Sequence, residues 1–290
     1  MGRLSSGLLE RSRPTLVRGA DVVGRATSDA RALPGLLICG GQRCGTTSMY
    51  KALVQHPTIL RPVWRKGVHY FDTAHDHDLR WYRAHFPFQR QLDRAALRHG
   101  TRALCFESSP YYLFHPRAAD RIATELPDVR VLVLVRDPVE RAYSAHAHER
   151  ARGYEDLEFA QALAREDRGL AAESARLRED ASYESHLHRH QAYRARGEYA
   201  AQIERFAALI GRDRIKVVDS HRFFAEPEHV FPEVLDWLDV APRGEQTFDR
   251  HNSRDRSELD PGLRRELEDY YLPFDEALTP WLGHVPTWRR

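Results

Sequence analysis

Cysteine is scarce: Cys39, Cys44 and Cys105 are the only three in 290 residues. They cannot make a fully paired disulfide framework, and their spacing does not suit a tetrahedral zinc site. Buried thiols beside strands are expected instead. Excess charge is missing too, with 44 basic against 42 acidic residues and a formal net charge of +2, so global electrostatics give nucleic-acid binding no support. The basic side chains are nearly all arginine, whose planar fork suits phosphate and sulfate, although genomic composition accounts for the bias equally well. Residues 1–33 contain Arg3, Arg11, Arg13, Arg18, Arg25 and Arg31 but no apolar run long enough for a signal sequence or a membrane span. The expectation is a soluble, cytoplasmic protein, with a basic, irregular N-terminal arm over residues 1–33 and one domain over residues 34–290. No repeat, coiled-coil run or low-complexity linker interrupts that domain.

What is present begins with LLICGGQRCGTTSMY at residues 36–50. An apolar run, a glycine-rich turn and a helical pattern in this order read as strand, phosphate-cradling loop and helix. Gly40 and Gly45 have the spacing of a Walker A loop, yet Thr46 stands at the lysine position and the cation comes earlier, at Arg43. That displacement argues against an ordinary ATP or GTP site. Strands are expected at residues 36–39, 102–107, 129–135 and 215–218, the third being an unbroken apolar run suited to the middle of a parallel sheet. Helices are expected over residues 45–55, about 116–126, from Pro138 onward, 199–210 and 230–238, with largely helical sequence after Asp156. The alternation predicts an α/β fold: a P-loop-like three-layer domain with a central, mainly parallel sheet and helical insertions.

Two segments are suited to anions. In GGQRCGTTS, backbone amides from Gly41, Gln42, Cys44 and Gly45 onward, the Arg43 guanidinium and the hydroxyls of Thr46, Thr47 and Ser48 form one set. In RDPVERAYS, Arg136 follows a central strand, Ser144 lies two helical turns on, and Arg141 and Ser144 are three residues apart on one helix surface. The plainer readings are a glycine-rich turn for the first segment and an Arg136–Asp137 helix cap with surface charges for the second.

Together the two segments resemble the sulfotransferases that use 3′-phosphoadenosine 5′-phosphosulfate (PAPS), and most closely their heparan-sulfate-type and related bacterial branch. In that family the first loop binds the 5′-phosphosulfate, while an arginine followed eight residues later by a serine binds the 3′-phosphate; Arg136 and Ser144 match that pair. RKGVHYFD at residues 65–72 is similar to the branch's KExHFFD segment, and ESSPYY at residues 107–112 to its ExTPxYF segment. RHNSR at residues 250–254 resembles the late donor-binding loop, bringing in His251 and Arg254. The resemblance implies PAPS as donor, 3′-phosphoadenosine 5′-phosphate (PAP) as product, and no metal ion. Three positions depart from the pattern: Arg43 replaces a lysine, Gly67 replaces the glutamate thought to deprotonate the acceptor, and Ser108 replaces a further lysine.

For sulfuryl transfer, Arg43, Lys66 and the loop amides are candidates to neutralise the leaving phosphate, and His69 is the candidate base, its ordinary pKa lying near 6.5. Asp72 is a candidate to orient His69 or to neutralise Lys66. Glu107 is an alternative base, or a salt-bridge partner of Arg43 or Lys66. The competing reading for His69 is a ring packed in an aromatic loop. Expected acceptors are a hydroxyl-bearing small molecule, a glycolipid or a carbohydrate. Trp64, Trp81, Tyr82 and Phe86 offer stacking surfaces or internal packing, and Arg65, Arg83 and His85 polar contacts. A P-loop kinase and a noncatalytic nucleotide- or glycan-binding protein are the alternatives.

Overall fold

The computed structural model describes residues 24–248 and 258–290; His251 and Arg254 therefore lie outside the described residues. Five strands form one sheet: β1 Leu36–Ile38, β2 Ile59–Leu60, β3 Leu104–Ser108, β4 Arg130–Val135 and β5 Ile215–Asp219. Their order is β2-β3-β1-β4-β5, and every pairing is parallel. Residues of β1 and the stretch Val131–Val135 of β4 are fully buried without alternation, so helices cover both sheet faces and make the three layers.

The helices are α1 Thr46–Leu53, α2 Tyr70–Thr73, α3 Leu79–Arg83, α4 Gln89–His99, α5 Tyr111–Phe114, α6 Ala118–Glu125, α7 Pro138–Ala151, α8 Phe159–Glu179, α9 His186–His190, α10 Tyr199–Ile210, α11 Ser220–Ala225, α12 Pro227–Trp237 and α13 Pro261–Leu282. Local chemistry sets several ends. Pro138 opens α7 behind Asp137, whose carboxylate accepts from the amides of Val139 and Glu140. Asp260 caps α13 in the same way, and Gly283 closes it at φ 75°. A second apolar cluster joins Val139, Ala142 and Ala145 of α7 to Phe159 and Leu163 of α8 and Leu267 and Tyr271 of α13. The helical insertion thus has its own core against α7.

The described part of the expected arm is not irregular. Ser28, Arg31 and Ala32 are buried; Arg31 donates to the Phe86 carbonyl at 2.7 Å, and the Ala32 amide to that of Pro87 at 2.9 Å. These backbone acceptors lie more than fifty residues away, and no local sequence pattern announces them. Nor were α2, α3 and α4 anticipated; α2 and α3 are only four and five residues long and pack ring on ring, Tyr70 stacking on Tyr82, rather than showing a long apolar stripe.

Candidate active site

In an open parallel sheet, ligands favour the crevice beyond the carboxyl ends of the two strands where the connections reverse direction. Here those strands are β1 and β4, since β1 leads outward to β2 on one side and β4 to β5 on the other. The glycine loop follows β1, and Arg136 follows β4. Backbone contact holds them together: the Gly41 amide donates to the Leu134 carbonyl at 3.0 Å. A β-carbon on Gly40 would lie 2.3 Å from the Leu134 amide nitrogen, so only glycine permits this approach. The loop turns through φ 72° at Arg43 and 82° at Gly45 before α1 begins. The Ser48 and Met49 amides both bond to the Gly45 carbonyl, which leaves the Thr46 and Thr47 amides as the donors this helix start offers an anion.

A cavity of about 500 Å³ opens there. Residues 43–47 line it, with Arg136, Asp137 and Glu140 from the β4–α7 junction, Ser220, His221 and Phe224 from α11, and Thr287 and Trp288 from the segment after α13. Arg43 Nε donates to Ser144 Oγ at 3.1 Å, so residues expected in separate phosphate subsites touch. Arg136 lies 3.6 Å from Glu140, which also pairs with Arg264. Gln42 points away from the cavity: its amide donates to Glu149 at 2.8 Å and accepts from Arg196 at 3.0 Å. The Cys44 side chain is buried, 3.6 Å from the Tyr199 hydroxyl. Ser48 is buried. Arg141 departs from its expected place beside Ser144 on an anion-binding surface; it is fully buried and donates to the Tyr193 carbonyl.

Lys66 reaches this site from the loop after β2. Its ammonium is 3.0 Å from Thr47 Oγ1 and 3.5 Å from Thr46 Oγ1, and burial pulls its pKa down to about 8. Three residues on, His69 adopts φ 60° at the head of α2, with Nδ1 2.9 Å from Asp72 Oδ2. Asp72 pairs with His69 rather than with Lys66, its other oxygen accepting from the Thr73 amide. Burial works to lower the His69 pKa, but the hydrogen bond and charge of Asp72, helped by Glu107 and opposed by Arg189, leave it raised.

Glu107 makes no salt bridge to Arg43 or Lys66. It is fully buried and accepts from the Val68 amide at 2.6 Å, Tyr82 OH at 2.7 Å, Ser109 Oγ at 2.8 Å and Tyr112 OH at 2.9 Å. Burial raises its pKa against these four donors. Ser109 Oγ in turn accepts from the His69 amide, and the Ser108 amide donates to the Lys66 carbonyl. The arrangement clamps residues 66–69 against the end of β3. Gly67 is part of that fit, because a β-carbon there would lie 2.4 Å from the Ser108 carbonyl oxygen and 2.8 Å from Ser109 Oγ.

The aromatic surfaces divide. Tyr82 and Phe86 are fully buried and Trp81 nearly so, while Trp64 is 61% exposed. Arg83 and His85 spend hydrogen bonds internally, on the carbonyls of Arg31 and Trp81. No cluster of three or more metal-ligating side chains occurs among the described residues, and no described helix is long and apolar enough to cross a membrane.

The comparisons agree with this geometry. The model of the sulfotransferase domain matches residues 33–254, and the chain belongs to that family. It is 30% identical to a sulfotransferase from Alicyclobacillus acidocaldarius of known structure, with a TM-score of 0.65, covering 89% of this chain and all of that one. It is 28% identical over 298 residues to the human bifunctional heparan sulfate N-deacetylase/N-sulfotransferase 3, covering 89% of this chain but 31% of that protein. With human heparan sulfate glucosamine 3-O-sulfotransferase 3B1 the identity is 27%, over 90% of this chain and 66% of the relative. The chain thus spans about a third or less of the first curated relatives it matches.

Proposed function

We propose that this protein transfers a sulfuryl group from PAPS to an acceptor hydroxyl on a carbohydrate, a glycolipid or a glycosylated small molecule. The observation that carries the reading is that Arg43 and Arg136 line one glycine-loop crevice, with the Lys66 ammonium bonded to Thr47 of its lining and His69, three residues on from Lys66, paired with Asp72. The cavity is large enough for a nucleotide, its loop amides with Arg43 and Arg136 suit phosphate and sulfate, and its glycine loop lets a phosphate approach the backbone. PAPS supplies a sulfur electrophile whose leaving group is the 5′-phosphate.

In this mechanism the acceptor oxygen bonds to sulfur as the bond from sulfur to the 5′-phosphate oxygen breaks. With Nδ1–H donated to Asp72, His69 offers Nε2 to take the acceptor proton. Lys66, Arg43 and the first amides of α1 stabilise the charge that develops on the departing phosphate. Arg136 and Ser144 hold the 3′-phosphate, which requires Ser144 to exchange its bond from Arg43 for one to the donor. Glu107 acts through position: it fixes the loop that bears Lys66 and His69 and keeps its own oxygens engaged. In the kinase alternative a carboxylate after a strand would hold metal, but Asp137 caps α7, and Asp219, at the end of β5, caps α11 and binds Thr287. Three buried free thiols support a reducing, cytoplasmic setting.

The test is incubation with PAPS and a panel of hydroxyl acceptors, followed by mass spectrometry. An acceptor heavier by one sulfuryl group, with one PAP released per transfer and the same rate under strong chelation, is the expected result. PAPS that remains intact with every acceptor class, or turnover restored only by Mg²⁺, would count against the proposal.

A further inference from the structure

Gln42 belongs to the glycine loop, yet its side chain turns away from the cavity into a set of charged groups that the proposed mechanism does not use. Its amide nitrogen donates to Glu149 Oε1 at 2.8 Å, and its oxygen accepts from Arg196 Nη1 at 3.0 Å. A primary amide suits both partners together, because it carries a donor and an acceptor on one planar group. Both partners are buried and fixed by further contacts. Glu149 of α7 also binds His190 of α9 at 3.1 Å and Arg152 at 3.4 Å. Arg196, in the turn before α10, donates to the carbonyls of His188 and Arg189 at 2.8 and 2.6 Å. Its guanidinium lies over the rings of Tyr111 and Phe114 of α5, 4.9 and 5.0 Å from their centroids. One side chain thereby fastens the glycine loop to α5, α7 and α9.

The next residue, Arg43, has φ 72°, a left-handed conformation that a residue with a β-carbon keeps only where its surroundings over-determine it. Its other neighbour is held as well: the Cys44 amide donates to the Gly41 carbonyl at 3.1 Å, and the Cys44 carbonyl accepts from Ser220. With both flanks fixed, the Arg43 side chain lines the cavity and reaches Ser144 Oγ at 3.1 Å. When the donor takes over Ser144, as the proposed mechanism requires, the contacts of Gln42 still hold the loop on α7. We infer that Gln42, clamped between Glu149 and Arg196, is a positioning residue for the donor site, keeping the strained turn that aims Arg43 at the 5′-phosphate. The inference rests on the donor reading above and deepens it.

The test is titration calorimetry of the full chain with PAP, comparing the wild type with Q42A, R43G and Q42A/R43G. R43G removes the guanidinium and leaves a backbone that adopts φ 72° freely, so nothing remains for Gln42 to aim. Q42A alone is expected to bind PAP about five-fold or more weakly. In the R43G background the same change is expected to weaken PAP by less than about two-fold. An exchange of carboxylate and amide supplies a second arm. Q42E sets two carboxylates against each other and should weaken PAP at least as much as Q42A. Q42E/E149Q restores one carboxylate and one amide beside Arg196, and should recover binding to within about two-fold of wild type. Wild-type affinity in Q42A would overturn the inference while leaving the donor reading intact. Equal losses from Q42A in both backgrounds would overturn it as well, reducing the clamp to a general brace of the fold. So would a Q42E/E149Q chain that binds no better than Q42E, and this arm decides the matter if Q42A does not fold. If the wild type does not bind PAP, the donor reading falls and takes this inference with it.

Discussion

Position 67 shows how one residue constrains the chemistry around it. The branch that the chain resembles carries a glutamate there, but in this protein the volume a side chain would enter is filled by the Ser108 carbonyl and the Ser109 hydroxyl. G67E is therefore expected to destabilise the protein rather than improve it, by about 1–3 kcal/mol for overpacking, read as a lower melting temperature with reduced turnover. A stable, more active G67E would show that the loop opens freely. In the proposed mechanism the base is His69. As an acid–base group it works only when neutral, so turnover should rise with pH through its raised pKa, above 6.5, and fall again as Lys66 loses its proton near 8. H69A should lower turnover by roughly 10²–10⁴-fold with PAP affinity retained. D72N removes the charge that raises the His69 pKa, so the acidic limb should move to lower pH. An unchanged pH profile in both variants would remove His69 from the mechanism.

Among the elements, the β3 end and the loop of residues 66–69 behave as one unit. Glu107 gathers a backbone amide, two tyrosine hydroxyls and a serine hydroxyl. E107A would leave those buried donors without an acceptor, at about 1–3 kcal/mol for each one left unsatisfied. A large fall in urea midpoint is expected, with E107Q intermediate because its amide keeps one acceptor oxygen. If Glu107 were the base instead, E107Q would lose turnover at unchanged stability. Strands β1, β3, β4 and β5 and the helices with a clear apolar stripe or cap, such as α7 behind Asp137 and α10 before Gly211, were legible in the sequence, whereas β2, only two residues long, was not. The glycine loop, whose spacing is local, was legible too. The Glu107 cage was not: Tyr82 lies twenty-five residues away, and its hydroxyl reads as an ordinary aromatic until the fold brings it in. The Asp72–His69 pair was legible only as a choice, because it depends on the left-handed backbone at His69. Thr287 and Trp288 carry no motif that marks them.

For the whole molecule, the sheet order sets where the site is. Reversal at β1 and β4 puts the glycine loop and Arg136 at one crevice, and the parallel register of β4 with β5 brings Asp219 opposite Val135, so that α11 and the segment after α13 close its far side. The two segments proposed to bind phosphate lie about ninety residues apart, which is why neither alone identified the ligand. The account's central claim is that this crevice reads a nucleotide with phosphates at both the 5′ and the 3′ positions. Titration calorimetry of the wild-type chain with PAP and with AMP tests it most directly. Charge-assisted hydrogen bonds from Arg136 and Ser144, at about 1.5–3 kcal/mol each in favourable settings, predict that PAP binds at least ten-fold more tightly than AMP. Equal affinities for the two nucleotides would contradict it.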